Sequence, residues 1–123
     1  MCKIKHKSLR ALRKKAWDLQ SIYIRRTERR CFTCGAAPGW KHLQAGHYIH
    51  KNCLDFDDRN IHAQCVRCNK WLSGNLGIYA EKMIAKYGQE EVSILRQLAN
   101  KDRKFNIIEL EDCHLCKNLN DFR

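Results

Sequence analysis

Two cysteine pairs, Cys31-x2-Cys34 and Cys65-x2-Cys68, bracket a segment that holds Gly46-His47, Asn60 and His62, and Asn69 follows the last cysteine directly. Pairs of this spacing bind one Zn²⁺ in a closed tetrahedral thiolate shell, which leaves no position open for a substrate. The four thiols therefore read as a structural clamp. The chemistry would fall to the residues between and just after them. Hydrolysis of a phosphodiester needs a base to deprotonate water and a cation to neutralise charge on the phosphate. His47 offers an imidazole for the first task. Asn69 offers a side-chain carbonyl to a hard cation such as Mg²⁺ or Mn²⁺, which keeps several waters and needs few protein ligands. Asn60 is expected to tie the intervening loop to its backbone and so hold His47 in place. His62 is a further candidate for the metal shell or the cleft, whereas His6, His42 and His50 read as ordinary histidines.

The elements that must position these groups follow from local signals. Ser8 is a candidate N-cap for a helix over about residues 8–28. Leu9, Leu12, Ala16, Leu19 and Tyr23 recur at helical spacing, and Arg10, Arg13, Lys14, Arg25 and Arg26 lie on other faces. A knuckle from Cys31 to about Pro38 turns at Gly35. Leu43–Ile49 reads as a strand and Asn60–Gln64 as its partner, with a charged loop between them. Cys65 opens a helix that carries Cys68, Asn69 and Trp71 and stops near Ser73-Gly74. Helices over about 75–87 and 89–98 follow, broken at Gly88, with Ile78, Met83, Ile84, Val92, Leu95 and Leu98 as their apolar face. A last helix is expected over about 108–119.

These elements predict one α+β, mainly helical domain of 123 residues: a basic helical segment (1–30), a zinc-bound core (31–74) and C-terminal helices (75–123). Residues 1–30 hold eleven Lys or Arg against two acids, a net of +9. The other ninety-three residues carry only +2 of the chain's +11. So concentrated an excess is the footprint of a polyanion binder, nucleic acid foremost. Arg59, Arg67 and Lys70 join the helix residues as candidate phosphate contacts. No stretch approaches the roughly 18 apolar residues of a membrane span, and the N-terminus has no apolar run of a signal peptide. The chain is expected in a reducing cytoplasm, where paired Cys-x2-Cys spacing favours zinc over disulfides.

The order Cys-x2-Cys, a His-bearing strand, then Asn five residues before a second Cys-x2-Cys resembles the His-Asn-His (ββα-metal) nucleases on a treble-clef zinc scaffold. More narrowly, CFTCG, QAGHYIH, FDDRNIHAQCVRCNKWLSGN and YGQEEV look like the NinG/Rap recombination endonuclease family of lambdoid phages, over roughly residues 28–95. The resemblance implies a structure-specific endonuclease acting on branched DNA such as D-loops and Holliday junctions. His47 would be general base, Asn60 the loop organiser and Asn69 the ligand of a catalytic Mg²⁺ or Mn²⁺. Phage endonuclease VII, another junction resolvase, also has a CxxCN helix. Symmetric cutting of a junction implies a homodimer. Where many His-Asn-His enzymes place a metal-binding Asp before the catalytic His, this chain has Gly46. The metal would then rest on Asn69, DNA oxygens and waters, or recruit His62, Asp57 or Asp58.

Gly46 is also the best argument for the alternative, a catalytically silent zinc module that binds DNA or a protein partner. In the tail, Cys113, His114 and Cys116 could join Cys2 and His6 around a second zinc, but they read better as part of an amphipathic helix.

Overall fold

The computed structural model describes residues 8–101 and 108–109. Its elements are α1 (Leu9–Glu28), β1 (Leu43–His47), β2 (Ile61–Cys65), a π-helical turn (Arg67–Trp71), α2 (Leu76–Tyr87) and α3 (Gln89–Leu98), with short 3-10 turns at Trp40–His42 and Asn52–Leu54. The tail cysteines, Cys2 and His6, and all but the first two residues of the expected last helix lie outside the described residues. Among the described residues, no helix is long and apolar enough to cross a membrane.

The α1 helix starts where expected, with the Ser8 hydroxyl accepting from Ala11 N at 3.1 Å, and ends on Arg29 in the left-handed conformation. Its buried stripe is Leu12, Ala16, Gln20 and Ile24, a strict four-residue step that differs from the expected one. Leu9 is exposed, and Leu19 and Tyr23 are only half-buried. A helix lying along a sheet buries one narrow line, and a polar residue enters that line if it finds a partner. Gln20 finds one, because its Nε2 donates to the backbone oxygen of Asp55.

β1 and β2 form an antiparallel hairpin with Gly46 opposite His62 and His47 opposite Ile61. β1 stops two residues sooner than expected, and β2 keeps its expected length but begins and ends one residue later. Beyond His47 the chain leaves the ladder and Asn60 takes over: its Oδ1 accepts from Ile49 N at 2.8 Å and its Nδ2 donates to Ile49 O at 2.9 Å. Side chains alternate across a hairpin, so Leu43, Ala45, His47, Ile61 and Ala63 share one face. Gln44, Gly46, His62 and Gln64 share the other. The first face packs against α1 through Ile24, Trp17 and Tyr23. A second cluster joins Tyr48, Leu54, Tyr79, Met83, Val92 and Leu95, so α2 and α3 close over the loop that follows β1. Ile78 and Ile84, expected in the apolar face of α2, are instead exposed, and Tyr79 takes the buried place. Its hydroxyl explains the exchange by donating to Gly46 O at 2.8 Å.

Candidate metal centre and catalytic cleft

Cys31, Cys34, Cys65 and Cys68 place their four sulphurs within 4.8 Å of one another, the described residues' only such cluster of ligand-bearing side chains. Four sulphurs about 2.3 Å from a zinc ion sit about 3.8 Å apart, and Cys34 Sγ and Cys65 Sγ stand 3.6 Å apart. All five described cysteines are free thiols. Backbone amides already point at the sulphurs: Cys34 N to Cys31 Sγ and Cys68 N to Cys65 Sγ, each 3.4 Å. Burial pushes the Cys31 thiol up, but the Thr33 hydroxyl and several backbone amides outweigh it and hold the thiol down at about 6. Cys34 is driven the other way, to about 12. An amide near Ala36 favours its thiolate, but burial and the three neighbouring sulphurs oppose a further negative charge. A cluster that resists carrying several thiolates at once suits a divalent cation that neutralises them, so the donor set fits Zn²⁺.

The clamp has structural reach. Phe32 N donates to Ala63 O at 2.7 Å, which ties the knuckle to β2. Gly35 completes the knuckle at φ +78°, and its amide donates to Cys31 O.

His47 and Asn69 come to the same end of the hairpin but to its opposite faces. His47 lies on the α1 side, its ring stacked on Trp17 with centroids 4.9 Å apart and planes 6° from parallel. Its Nε2 is 3.1 Å from Asp55 Oδ1. Asp55 is held in turn by Arg13, at 2.7 Å to Oδ2, and by Gln20 through its backbone. Burial raises the Asp55 carboxyl, but hydrogen bonds and charge from His47 and Arg13 win and keep it below its ordinary value. A carboxylate accepts only, so Nε2 carries a proton, and in the neutral ring the lone pair falls on Nδ1. Around this dyad a cleft of about 750 Å³ opens between α1 and the loop, lined by Arg10, Arg13, Lys14, Trp17, His50 and Lys51 among others.

Asn69 lies on the other face, half-buried. Its Nδ2 donates to Gln44 Oε1 at 2.8 Å, and its Oδ1 is 3.0 Å from the point where a Cβ on Gly46 would stand. Arg67 and Lys70 are on the same π-helical turn, beside Trp71, which is 75% exposed.

Four expected site residues are placed elsewhere. His62, a candidate for the metal shell, is buried with both ring nitrogens engaged: Nδ1 with Glu28 at 3.1 Å and Nε2 with the Tyr87 hydroxyl at 3.0 Å. Its ring stacks on Phe32 at 4.0 Å, so it is a packing group that ties α1 to α2. Arg59, a candidate phosphate contact, pairs with Asp57 at 2.7 Å and Glu91 at 2.8 Å. It braces the loop to α3, and Asp57 is thereby occupied too. Arg25 and Arg26 both lie over the Trp40 ring at 5.3 Å, at the far end of α1 from the cleft. Asp55 and Gln64 are the residues that sequence reasoning passed over. Asp55 is one of three acids between Leu54 and Arg59, and nothing in their spacing says which one reaches back to His47.

These features define a class: a small α+β protein in which a four-cysteine cluster pins a hairpin between a basic helix and a helical pair. The chain belongs to the NinG family, since the family model described as bacteriophage lambda NinG protein matches residues 1–120. It is 36% identical to protein ninG of Escherichia phage 933W over 109 residues, covering 85% of this chain and 52% of that protein. The corresponding proteins of Escherichia phage lambda and Salmonella phage P22 are 35% and 34% identical, with 85% of this chain and 51% of each relative covered. The chain thus spans about half the length of the curated relatives it matches. No solved structure matches it.

Proposed function

We propose that this chain is a metal-dependent DNA endonuclease of the His-Asn-His type, built on a treble-clef zinc scaffold and acting on branched recombination intermediates such as D-loops and Holliday junctions. The observation that carries the reading is the arrangement at the end of β1. His47 is fixed by Asp55 at the mouth of a basic cleft, and its chain neighbour Gly46 backs onto the Asn69 carbonyl. A phosphate seated over the strand end would meet a base from one side and a cation ligand from the other.

In this reading His47 Nδ1 takes the proton from the attacking water. Asp55 stabilises the imidazolium that forms and keeps the ring in the reactive tautomer. Asn60 holds the backbone after His47 and so fixes the ring's origin. Asn69 would hold Mg²⁺ or Mn²⁺, which supplies charge neutralisation at the phosphate and leaving oxygen. The residues that fit it are oxygen donors, as a hard cation requires. Arg10, Lys14, Arg67 and Lys70 grip phosphates without reading bases, so binding is salt-dependent and indifferent to sequence, and preference for branches comes from shape. The enzyme acts as a homodimer in the host cytoplasm, one site per cut strand.

The specific observation in favour of the second reading, a zinc module that binds DNA without cutting it, is the absence of a carboxylate at position 46. Incubation of the zinc-loaded protein with a synthetic four-way junction and Mg²⁺ or Mn²⁺ separates the two. The endonuclease nicks, and His47→Ala binds equally but does not. Equal binding with no nicking by either protein selects the module.

A further inference from the structure

Gln64 is fully buried, and its amide is oriented without ambiguity: Nε2 donates to Gly74 O at 2.8 Å and to Thr33 Oγ1 at 3.2 Å. Its Oε1 therefore points the other way, toward Gly46, and there it accepts no hydrogen bond. Buried carbonyls are almost always satisfied, so an orphan of this kind asks for an explanation. Gly46 supplies part of it. Its φ is not among the positive ones, so glycine is not there for conformation. It is there for room, because a Cβ would collide with Gln64 Oε1 and come within 3.0 Å of Asn69 Oδ1. Asn69 is oriented in the same manner, its Nδ2 anchored on Gln44 Oε1 so that Oδ1 faces Gly46.

Two carboxamide oxygens, each aimed by its own anchored NH₂ group, thus converge on the bare Cα of one glycine. Resting on the endonuclease reading for the identity of its cation, we infer that Gln64 Oε1 and Asn69 Oδ1 are paired ligands of the divalent metal. Gln44 is the residue that positions Asn69. Gln64 then stands in for the missing carboxylate at position 46, and Gly46 is glycine because Gln64 needs its space. Both ligands are neutral. Without a carboxylate to balance the charge, the free protein holds the cation weakly, and a phosphate group of DNA supplies the missing anion. Linkage then requires that DNA and the cation tighten each other by the same factor.

The test uses the full, zinc-loaded chain and Mn²⁺ as probe. Substoichiometric Mn²⁺ is added to ¹⁵N-labelled His47→Ala protein bound to an uncut four-way junction, and broadening of side-chain amide signals is followed. Gln64 and Asn69 are expected to broaden first, at a Mn²⁺ concentration at least tenfold lower than without DNA. Gln64→Glu, which brings its own charge, should broaden neighbouring signals at least tenfold earlier in the DNA-free protein. Asn69→Ala, on a half-buried side chain, should abolish the effect without disturbing the Gln64 anchor. First broadening beside Asp55 and His50 instead, or an unchanged response in Asn69→Ala and Gln64→Glu, overturns the inference. The two readings fail separately. Nicking by wild type with no broadening at Gln64 removes the cradle and keeps the endonuclease, and broadening there with no nicking does the reverse.

Discussion

The two faces of the hairpin solve different problems with the same ten residues. The face toward α1 is apolar except at its end, where His47 is held by Asp55 and Asp55 by Arg13. The face toward the π-helical turn carries neutral amides, with Gln44, Gln64 and Asn69 arranged around Gly46, beside a His62 tied to Glu28. In the proposed reading one side moves a proton, with its charges paired in series, and the other offers carboxamide oxygens to a cation. Period-two alternation lets residues 46 and 47, adjacent in the chain, serve opposite surfaces. The cysteine cluster fixes both sides to one frame.

That common frame is where the comparison is broken most severely. Removal of zinc by a chelator, or Cys68→Ser, is expected to remove roughly 10 kcal/mol or more of folding free energy and to abolish the cooperative melt. Circular dichroism with metal analysis checks this, and an unchanged melt in a zinc-free protein would detach both faces from the clamp.

The amide face is tested next by Gly46→Ala. The added methyl meets Gln64, so stability should fall by about 1–3 kcal/mol, read from the denaturant midpoint. Gln64→Ala should cost less in the Gly46→Ala background than in the wild type, because the two side chains compete for one space.

The proton-handling face is sharpened by Asp55→Asn, expected to slow nicking about ten- to a hundredfold while junction binding persists. The Asp55 carboxyl is held below its ordinary value of 3.8 in the folded protein. Its stabilising contribution is therefore present above that ordinary value and is lost as pH falls through the lowered one. Asp55→Asn should flatten the acid side of the stability curve, and a nicking rate identical to wild type would reduce Asp55 to a loop brace.

The smallest effects separate cations proposed to grip DNA from cations that pair within the protein. Replacing Arg10 and Lys14 together should reduce the salt slope of junction binding by about two. Arg59→Ala should leave that slope intact and cost at most about 1 kcal/mol of stability, since its ion pairs are part-exposed.

What the sequence reveals here is whatever is carried by spacing along one segment. The cysteine pairs, the Ser8 cap, the break at Gly88 and the tie of Asn60 to the loop backbone are of that kind. What it hides depends on which segments meet. Gln20 replaces Leu19 in the buried stripe because a loop oxygen 35 residues away awaits it. Tyr79 displaces Ile78 because its hydroxyl reaches Gly46. His62 looks as eligible as His47 until Glu28 and Tyr87 are seen to occupy its ring. Gly46 reads as a lost ligand until Gln64 is seen filling the space beside it.

The stack of Trp17 on His47 has an optical consequence. A protonated imidazole lying against an indole quenches its emission, so this tryptophan is a resident fluorophore for the charge state of the neighbouring ring. With Trp40 and Trp71 changed to Phe, light from the remaining indole would follow that proton directly, in a protein at rest and without any turnover.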